Sequence, residues 1–331
     1  MLFFSYMSIN LNISLIFLSN HLFMAEKKTF RQVAEQWKED KNKFVKLSTI
    51  SAYSLILENH LLPTFGECTT IVETDVQEFV INKLQSLSRK TVQDLLIVLK
   101  MVYRYGVKLH YFYHEEWDIK FPTTTDKQEV EVLSIANQKR LLAFVRENFT
   151  FRNLGILLCL STGMRIGEVC ALTWQDINLA KRVVTISKTI ERIYIIDGNQ
   201  RHTELIISTP KTQNSRREIP LSPELYRLLV PLMKVVNHKF FILTNEKEPT
   251  EPRTYRNYYN RLLKQLDIPV IKFHGLRHSF ATRCIESNCD YKTVSVILGH
   301  SNIGTTLNLY VHPNLEQKQK CINKMFKSLG K

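Results

Sequence analysis

Apolar residues recur at three- and four-residue intervals over most of this chain, while β-branched and polar residues alternate over 182–196 and 203–209. A 3.6-residue period buries one stripe of a helix, whereas a period of two buries one face of a strand, so the pattern demands a mostly helical protein with one small sheet. Residues 29–44, 48–62, 74–86 and 88–107 read as helices; in the last of these Leu95, Leu96, Leu99, Val102 and Tyr103 form the stripe. Thr29 with Gln32, and Thr74 with Gln77, have capping-box spacing, and Pro63 with Gly66 is expected to stop the second helix. Further helices are predicted at 134–147, 151–161, from about Arg165, and at 222–236, 252–266, 275–287, 291–298 and 314–328. Gly163 is placed to end the helix of 151–161 in the left-handed conformation. The alternating stretch divides at Asp197-Gly198-Asn199 into an antiparallel hairpin of 182–196 and 203–209.

Residues 121–131 (Phe-Pro-Thr-Thr-Thr-Asp-Lys-Gln-Glu-Val-Glu) are polar, contain a proline and lack a period, which marks a linker. It separates a four-helix domain, 28–120, from a larger one, 132–331; a chain of 331 residues is long enough to give both a core. The first 24 residues are apolar and carry no Lys or Arg, yet Asn10, Asn12, Ser14, Ser19, Asn20 and His21 interrupt them. Neither the basic start of a signal peptide nor an unbroken span of about 20 apolar residues is present. Residues 1–27 are therefore expected to be a non-native or disordered extension, with Met24 as the natural start; a membrane anchor is the alternative.

Lys and Arg number 45 against 31 acidic residues, a formal charge of +14 that favours a polyanionic partner, nucleic acid first among them. A basic protein without such a partner fits the same count. Six cysteines form no CxxC pair, and no HExxH or tight acidic cluster occurs, so neither a metal site nor a disulfide framework is indicated and a reducing compartment fits.

Four segments hold candidate functional side chains. Ser88-Arg89-Lys90-Thr91 opens a helix with two cations, suited either to a phosphate or to a solvated helix end. Arg165 follows a glycine turn and starts a helix with Glu168 one turn on, a pair that serves an anion or simply itself. Lys211 lies on a predicted turn between strands with Arg216 and Arg217 behind it. In His274-Gly275-Leu276-Arg277-His278, His274 and Arg277 share a helix face; Leu298-Gly299-His300-Ser301 follows, and Tyr310 comes ten residues after His300, beyond a predicted Gly304-Thr305-Thr306 turn. Each residue alone is as well explained by structure as by function. Together they run in the order Arg, Lys, His-x-x-Arg, His, Tyr.

With STGMRIGEVCALTW, TPKTQNSRREIPL, HGLRHSFAT and LGHSNIGTTLNLYVH at these spacings, residues 132–331 resemble the tyrosine recombinase, or phage integrase, family. The helical 28–110 segment looks like that family's SAM-like core-binding domain. The resemblance implies an enzyme that cuts and rejoins duplex DNA through a covalent 3′-phosphotyrosyl bond, for integration or excision of a phage or mobile element. Tyr310 would be the nucleophile, surrounded by Arg165, Lys211, His274, Arg277 and His300. Two arginine forks suit the non-bridging phosphate oxygens, His274 could take the phenol proton, and Lys211 would protonate the leaving 5′ oxygen. Because the phosphotyrosyl bond conserves the phosphodiester energy, neither a nucleotide nor a metal cofactor is expected.

Arg89, Lys90, Arg216 and Arg217 are the DNA-binding candidates. Implied partners are duplex attachment sites, three further copies in a homotetramer joined through the amphipathic C-terminal helix, and an excisionase or host DNA-bending factor. A cytoplasmic, nucleoid-associated protein without a membrane partner is expected. A catalytically disused DNA-binding accessory protein and a type IB topoisomerase-like enzyme are the alternatives.

Overall fold

The computed structural model describes residues 27–123, 131–197, 200–209, 215–310 and 315–329. The N-terminal extension, most of the expected linker, the hairpin tip Gly198-Asn199 and Lys211 lie outside them. Among the described residues two compact units emerge: one takes in residues up to 123 together with the described part of Ile193–Glu204, the other residues 131–192 and those from Leu205 onward.

In the first unit, helices α1 (Phe30–Asn42), α2 (Leu47–Ile56), α3 (Glu73–Leu84) and α4 (Arg89–Lys108) enclose an aromatic-rich core that includes Phe30, Trp37, Phe65, Phe79, Leu99 and Tyr103. The Thr29–Gln32 capping box forms as the sequence predicts, with Thr29 Oγ1 accepting from Gln32 N and Gln32 Oε1 from Thr29 N. The Thr74–Gln77 box does not form. Helix α3 starts earlier, and Asp75 accepts from the backbone of Val72 instead, because a carboxylate is the better partner for a helix start.

Pro63 does not stop the second helix either. A π-helical turn, Leu57–Leu61, follows α2, Leu62 N–H bonds the Leu57 carbonyl, and a last turn runs to Phe65. The wider turn seats Pro63 at the start of a new hydrogen-bonding segment, where its missing N–H removes no bond. The returning segment Ile193–Glu204 is held inside this unit by Tyr194 N–H donating to Ser51 Oγ at 2.9 Å and by an Arg201–Glu58 ion pair at 3.2 Å.

The second unit is built on α5 (Ile135–Glu147), α6 (Phe151–Thr162) and the short α7 (Ile166–Cys170). Strands β1 (Ile177–Asn178) and β2 (Val183–Ile186) follow, then β3 (Thr189–Asp197) and β4 (Gln200–Ser208), whose portions within Ile193–Glu204 belong to the first unit, then β5 (Arg217–Pro220), and finally α8 (Pro223–Leu232), α9 (Pro252–Gln265), α10 (His274–Glu286), α11 (Tyr291–Leu298), α12 (Ile303–Tyr310) and α13 (Leu315–Leu329). The sheet is antiparallel in order β1-β2-β5, with Val184 opposite Ile219 and Ile186 opposite Arg217. The expected single first strand of the hairpin is thus broken at Ser187-Lys188. Its first half joins β5, and only β3 pairs with β4. Gly304-Thr305-Thr306 is no turn but the opening of α12.

The core of this unit is one cluster in which Leu154, Ile156, Trp174, Ile219, Tyr255, Tyr259 and Leu276 are fully or nearly fully buried. The fold is mainly helical with small sheets, as the periodicity predicts. Among the described residues no helix is long and apolar enough to cross a membrane, and no His, Cys, Asp or Glu cluster could hold a metal.

Candidate active site

Helix α6 ends on Gly163, whose φ of +67° lets its N–H return to the Cys159 carbonyl. The chain then extends through Met164 and Arg165 and re-enters a helix at Ile166, so Arg165 sits at an N-cap with extended backbone. Glu168, one turn on, accepts from the Arg165 N–H at 2.9 Å and from its Nη1 at 2.8 Å. The carboxylate is buried, with 3% of its side chain exposed, while Arg165 keeps 36%. This is a supporting pair and not a surface one.

Glu168 has a second cation. Arg217, at the first position of β5, donates Nη1 to Oε1 at 3.1 Å and Nη2 to Oε2 at 2.9 Å. Its Nε reaches the Ile297 carbonyl at 2.6 Å. Burial pushes the Glu168 carboxyl up, but the hydrogen bonds and charge of Arg217, then those of Arg165, outweigh it and hold the group below the ordinary carboxylate value. Arg217, expected with Arg216 to face DNA, is therefore corrected: only 4% of its side chain is exposed. Alternation along β5 places it on the buried face with Ile219 and turns Glu218 outward. Arg216 is exposed.

Helix α10 packs on α6 and carries three residues to the same place. His274 opens it, and its ring meets that of His278 edge to face at 4.6 Å. Arg277, one turn on, is 1% exposed and donates Nη1 to the Gly163 carbonyl at 2.9 Å. Helix α11 ends on Gly299, again left-handed at φ +68°, and presents His300, whose Nδ1 lies 2.8 Å from Thr306 Oγ1 in α12. Thr306 is fully buried.

Burial, then the charges of His278, Arg277 and Arg165, push His274 down to about 4. Burial, then Arg277, Arg165, His274 and Arg217, do the same for His300. Both shifts favour the neutral imidazole at pH 7, and hydrogen bonds bring the groups together: Arg277 bonds the Gly163 carbonyl two residues before Arg165, while Arg217 bonds both Glu168 and the Ile297 carbonyl three residues before His300. Among the described residues the structure thus gathers Arg165, His274, Arg277 and His300 from three separate stretches of chain. Tyr310 is the last residue of α12, one turn beyond Thr306; its side chain, like the whole of Lys211, lies outside the described residues.

The cations at the start of α4 are occupied otherwise. Arg89 stacks over Phe121 at 5.0 Å and bonds the Pro122 carbonyl, and Lys90 pairs with Asp94 at 2.6 Å. Lys90 remains exposed. The helix start therefore binds the chain that leaves it. Arg217 and Thr306 escaped the sequence reading as site supports. The parity of Arg217 with Ile219 and Leu221 was the available signal for the first; Thr306 had none, since the local pattern gives no hint that it meets His300.

Residues 131–317 match the phage integrase family, and residues 29–85 match the phage integrase N-terminal SAM-like domain. A tyrosine recombinase XerC-like protein of Caldanaerobacter subterraneus is 29% identical over 287 residues, 78% of this chain and 72% of that protein. The transposase from transposon Tn916 of Enterococcus faecalis is 26% identical over 281 residues, 77% of this chain and 67% of that one. Among solved structures, the Tn1549 transposon integrase in complex with transposon right end DNA superposes with a TM-score of 0.72 over 90% of this chain and 99% of that one, at 22% identity, which establishes a common fold. A family match over more than half the sequence, on the unit that gathers two arginines and two histidines at one point, makes this chain a member of the phage integrase family: a tyrosine recombinase, an enzyme that cuts and rejoins DNA.

Proposed function

We propose that this recombinase integrates and excises a mobile element by transferring strands between duplex attachment sites through a 3′-phosphotyrosyl bond to Tyr310. The observation that carries the reading is the convergence of Arg165 and Arg277 with His274 and His300, in which the buried Glu168 holds Arg165, the Gly163 carbonyl holds Arg277 and the buried Thr306 holds His300. The guanidinium forks match the two non-bridging oxygens of the scissile phosphate, where charge accumulates in the transition state. Tyr310 Oη attacks phosphorus and forms the new P–O bond, the P–O5′ bond breaks, and the 5′ oxygen leaves. His274, neutral at physiological pH, accepts the phenol proton; Lys211 gives one to the 5′ oxygen. In the tautomer whose Nδ1 accepts from the Thr306 hydroxyl, His300 keeps Nε2–H for a phosphate oxygen. Reversing the same steps on a different 5′ hydroxyl completes the exchange, and no external energy source is needed.

Helix α13 supports the expectation of a homotetramer. Ile322, Met325, Phe326 and Leu329 lie at helical spacing and are 54%, 45%, 64% and 72% exposed, an apolar face suited to a neighbouring protomer on DNA. An excisionase or a host DNA-bending factor would set direction, and the reaction would take place in the cytoplasm at the nucleoid.

The test is a pool of nicked half-site duplexes with a randomised arm, in which cleavage releases a short 5′-hydroxyl fragment and traps the adduct. Covalent adducts with the wild-type chain, none with Tyr310→Phe, and one enriched arm sequence are expected. DNA retained without any adduct would refute the recombinase reading and leave an accessory DNA-binding protein. Joining of two duplexes bearing the enriched arm separates recombination from the relaxation of one.

A further inference from the structure

Arg217 lies outside the six residues just given roles, yet every nitrogen of its guanidinium donates to a partner. Its guanidinium makes a two-point pair with Glu168, donates to the Ser215 carbonyl at 3.1 Å and donates Nε to the Ile297 carbonyl at 2.6 Å. Glu168 in turn accepts four hydrogen bonds, two from Arg217, one from the Arg165 side chain and one from the Arg165 backbone.

The charge count around that carboxylate is decisive. Two cations against one anion leave a net positive charge, and it resides on the more exposed member, Arg165. Without Arg217 the same carboxylate would be an undivided counter-ion of Arg165, and the pair would be neutral toward an incoming phosphate. Ile297 lies in the last turn of α11, where backbone carbonyls lack helical partners. By capping it, Arg217 also fixes the helix end from which Gly299 turns the chain into His300.

We infer that Arg217 is a positioning residue for strand cleavage: it neutralises Glu168 so that Arg165 presents its full charge to the scissile phosphate, and it anchors the helix end that carries His300. The inference rests on the reading that Arg165 and His300 bind that phosphate. The register of Arg217 opposite Ile186 and the alternation with Ile219 commit its side chain to the buried face of β5.

Two probes separate the inference from the reading beneath it. Inorganic phosphate, followed through the His274 and His300 ring resonances of the full chain, reports anion binding without any cleavage; the nicked duplex recovered with the wild-type chain reports adduct formation. Arg217→Met is expected to weaken phosphate about tenfold and to slow adduct formation about ten- to a hundredfold. Adding Glu168→Gln in the same chain removes the unbalanced anion and is expected to restore most of both losses, a rescue that a purely structural role would not give. Should the single variant not fold, Arg217→Lys keeps the charge but cannot hold both carboxylate oxygens and the Ile297 carbonyl, and a loss of about three- to tenfold is expected. A folded Arg217→Met with wild-type phosphate affinity, a double variant no better than the single one, or an unaffected Arg217→Lys would overturn the inference. Phosphate binding that follows this pattern in a chain whose wild type forms no adduct would keep the role of Arg217 in freeing the Arg165 charge for an anion and overturn its role in strand cleavage together with the proposed strand transfer.

Discussion

Arg277 Nη1 donates to the carbonyl of Gly163, 114 residues earlier in the chain, at 2.9 Å. A buried guanidinium is thus aimed by the backbone at a helix C-terminus, and that carbonyl is where it is because Gly163 is left-handed. A Cβ on Gly163 would come within 2.6 Å of Phe280 Cδ1 and 2.7 Å of Leu298 Cδ2. Gly163→Ala therefore combines backbone strain with overpacking, and a loss of roughly 2–4 kcal/mol of stability is expected. Urea unfolding measures it, and a variant within 0.5 kcal/mol of wild type, the usual range of a surface change, would contradict the account.

Arg277→Lys tests the need for a planar fork. The ammonium can keep the charge but cannot hold the Gly163 carbonyl and grip a phosphate oxygen with the same geometry. Single-turnover adduct formation is expected to fall about a hundredfold, the scale of losing one transition-state donor, with DNA affinity within about threefold of wild type because most of it comes from many phosphate contacts.

The histidines predict a pH dependence. Both are pushed down to about 4 from an ordinary value of 6.5, His274 by burial first and by His278, Arg277 and Arg165 after it, with Glu168 opposing. A depressed pKa means that the folded state binds fewer protons than the unfolded one. The stability contributed is fully present above pH 6.5 and is lost as pH falls through about 4. Histidine-selective resonances should therefore show both rings neutral at pH 5.5, and the denaturation midpoint should decline between pH 6.5 and 4. Rings that titrate near 6.5 would contradict the electrostatics described here.

Thr306→Val keeps the side-chain volume and removes the hydroxyl that lies 2.8 Å from His300 Nδ1. One hydrogen bond of about 1 kcal/mol corresponds to roughly a fivefold slower cleavage, because His300 loses its fixed orientation. An unchanged rate would show that His300 is held by other means.

Much of this architecture is legible in the sequence because helix period, caps and left-handed glycines are local properties: Thr29–Gln32, Gly163 and the span of α11 need no tertiary information. What failed was decided by competition or by distance. Asp75 displaced Thr74 and Gln77 at a helix start, and a π-turn accommodated Pro63. The alternating run around Lys188 joins two different sheets, a choice its own pattern does not encode. Arg165 and Glu168 were readable as a pair by their spacing, but their burial depends on Arg217, 49 residues beyond Glu168, and the role of that arginine depends on which face of β5 is covered. Charge spacing names candidates, and only packing tells a DNA-facing cation from a buried strut.

Tyr310 carries the central claim, and trapping it tests that claim most directly. After reaction with the nicked half-site duplex, nuclease and protease digestion should leave a single nucleotide-bearing peptide, and its fragmentation should locate a 3′-linked phosphate on Tyr310. A modified residue other than Tyr310, or a wild-type chain that binds the duplex and carries no covalent nucleotide, would contradict the account.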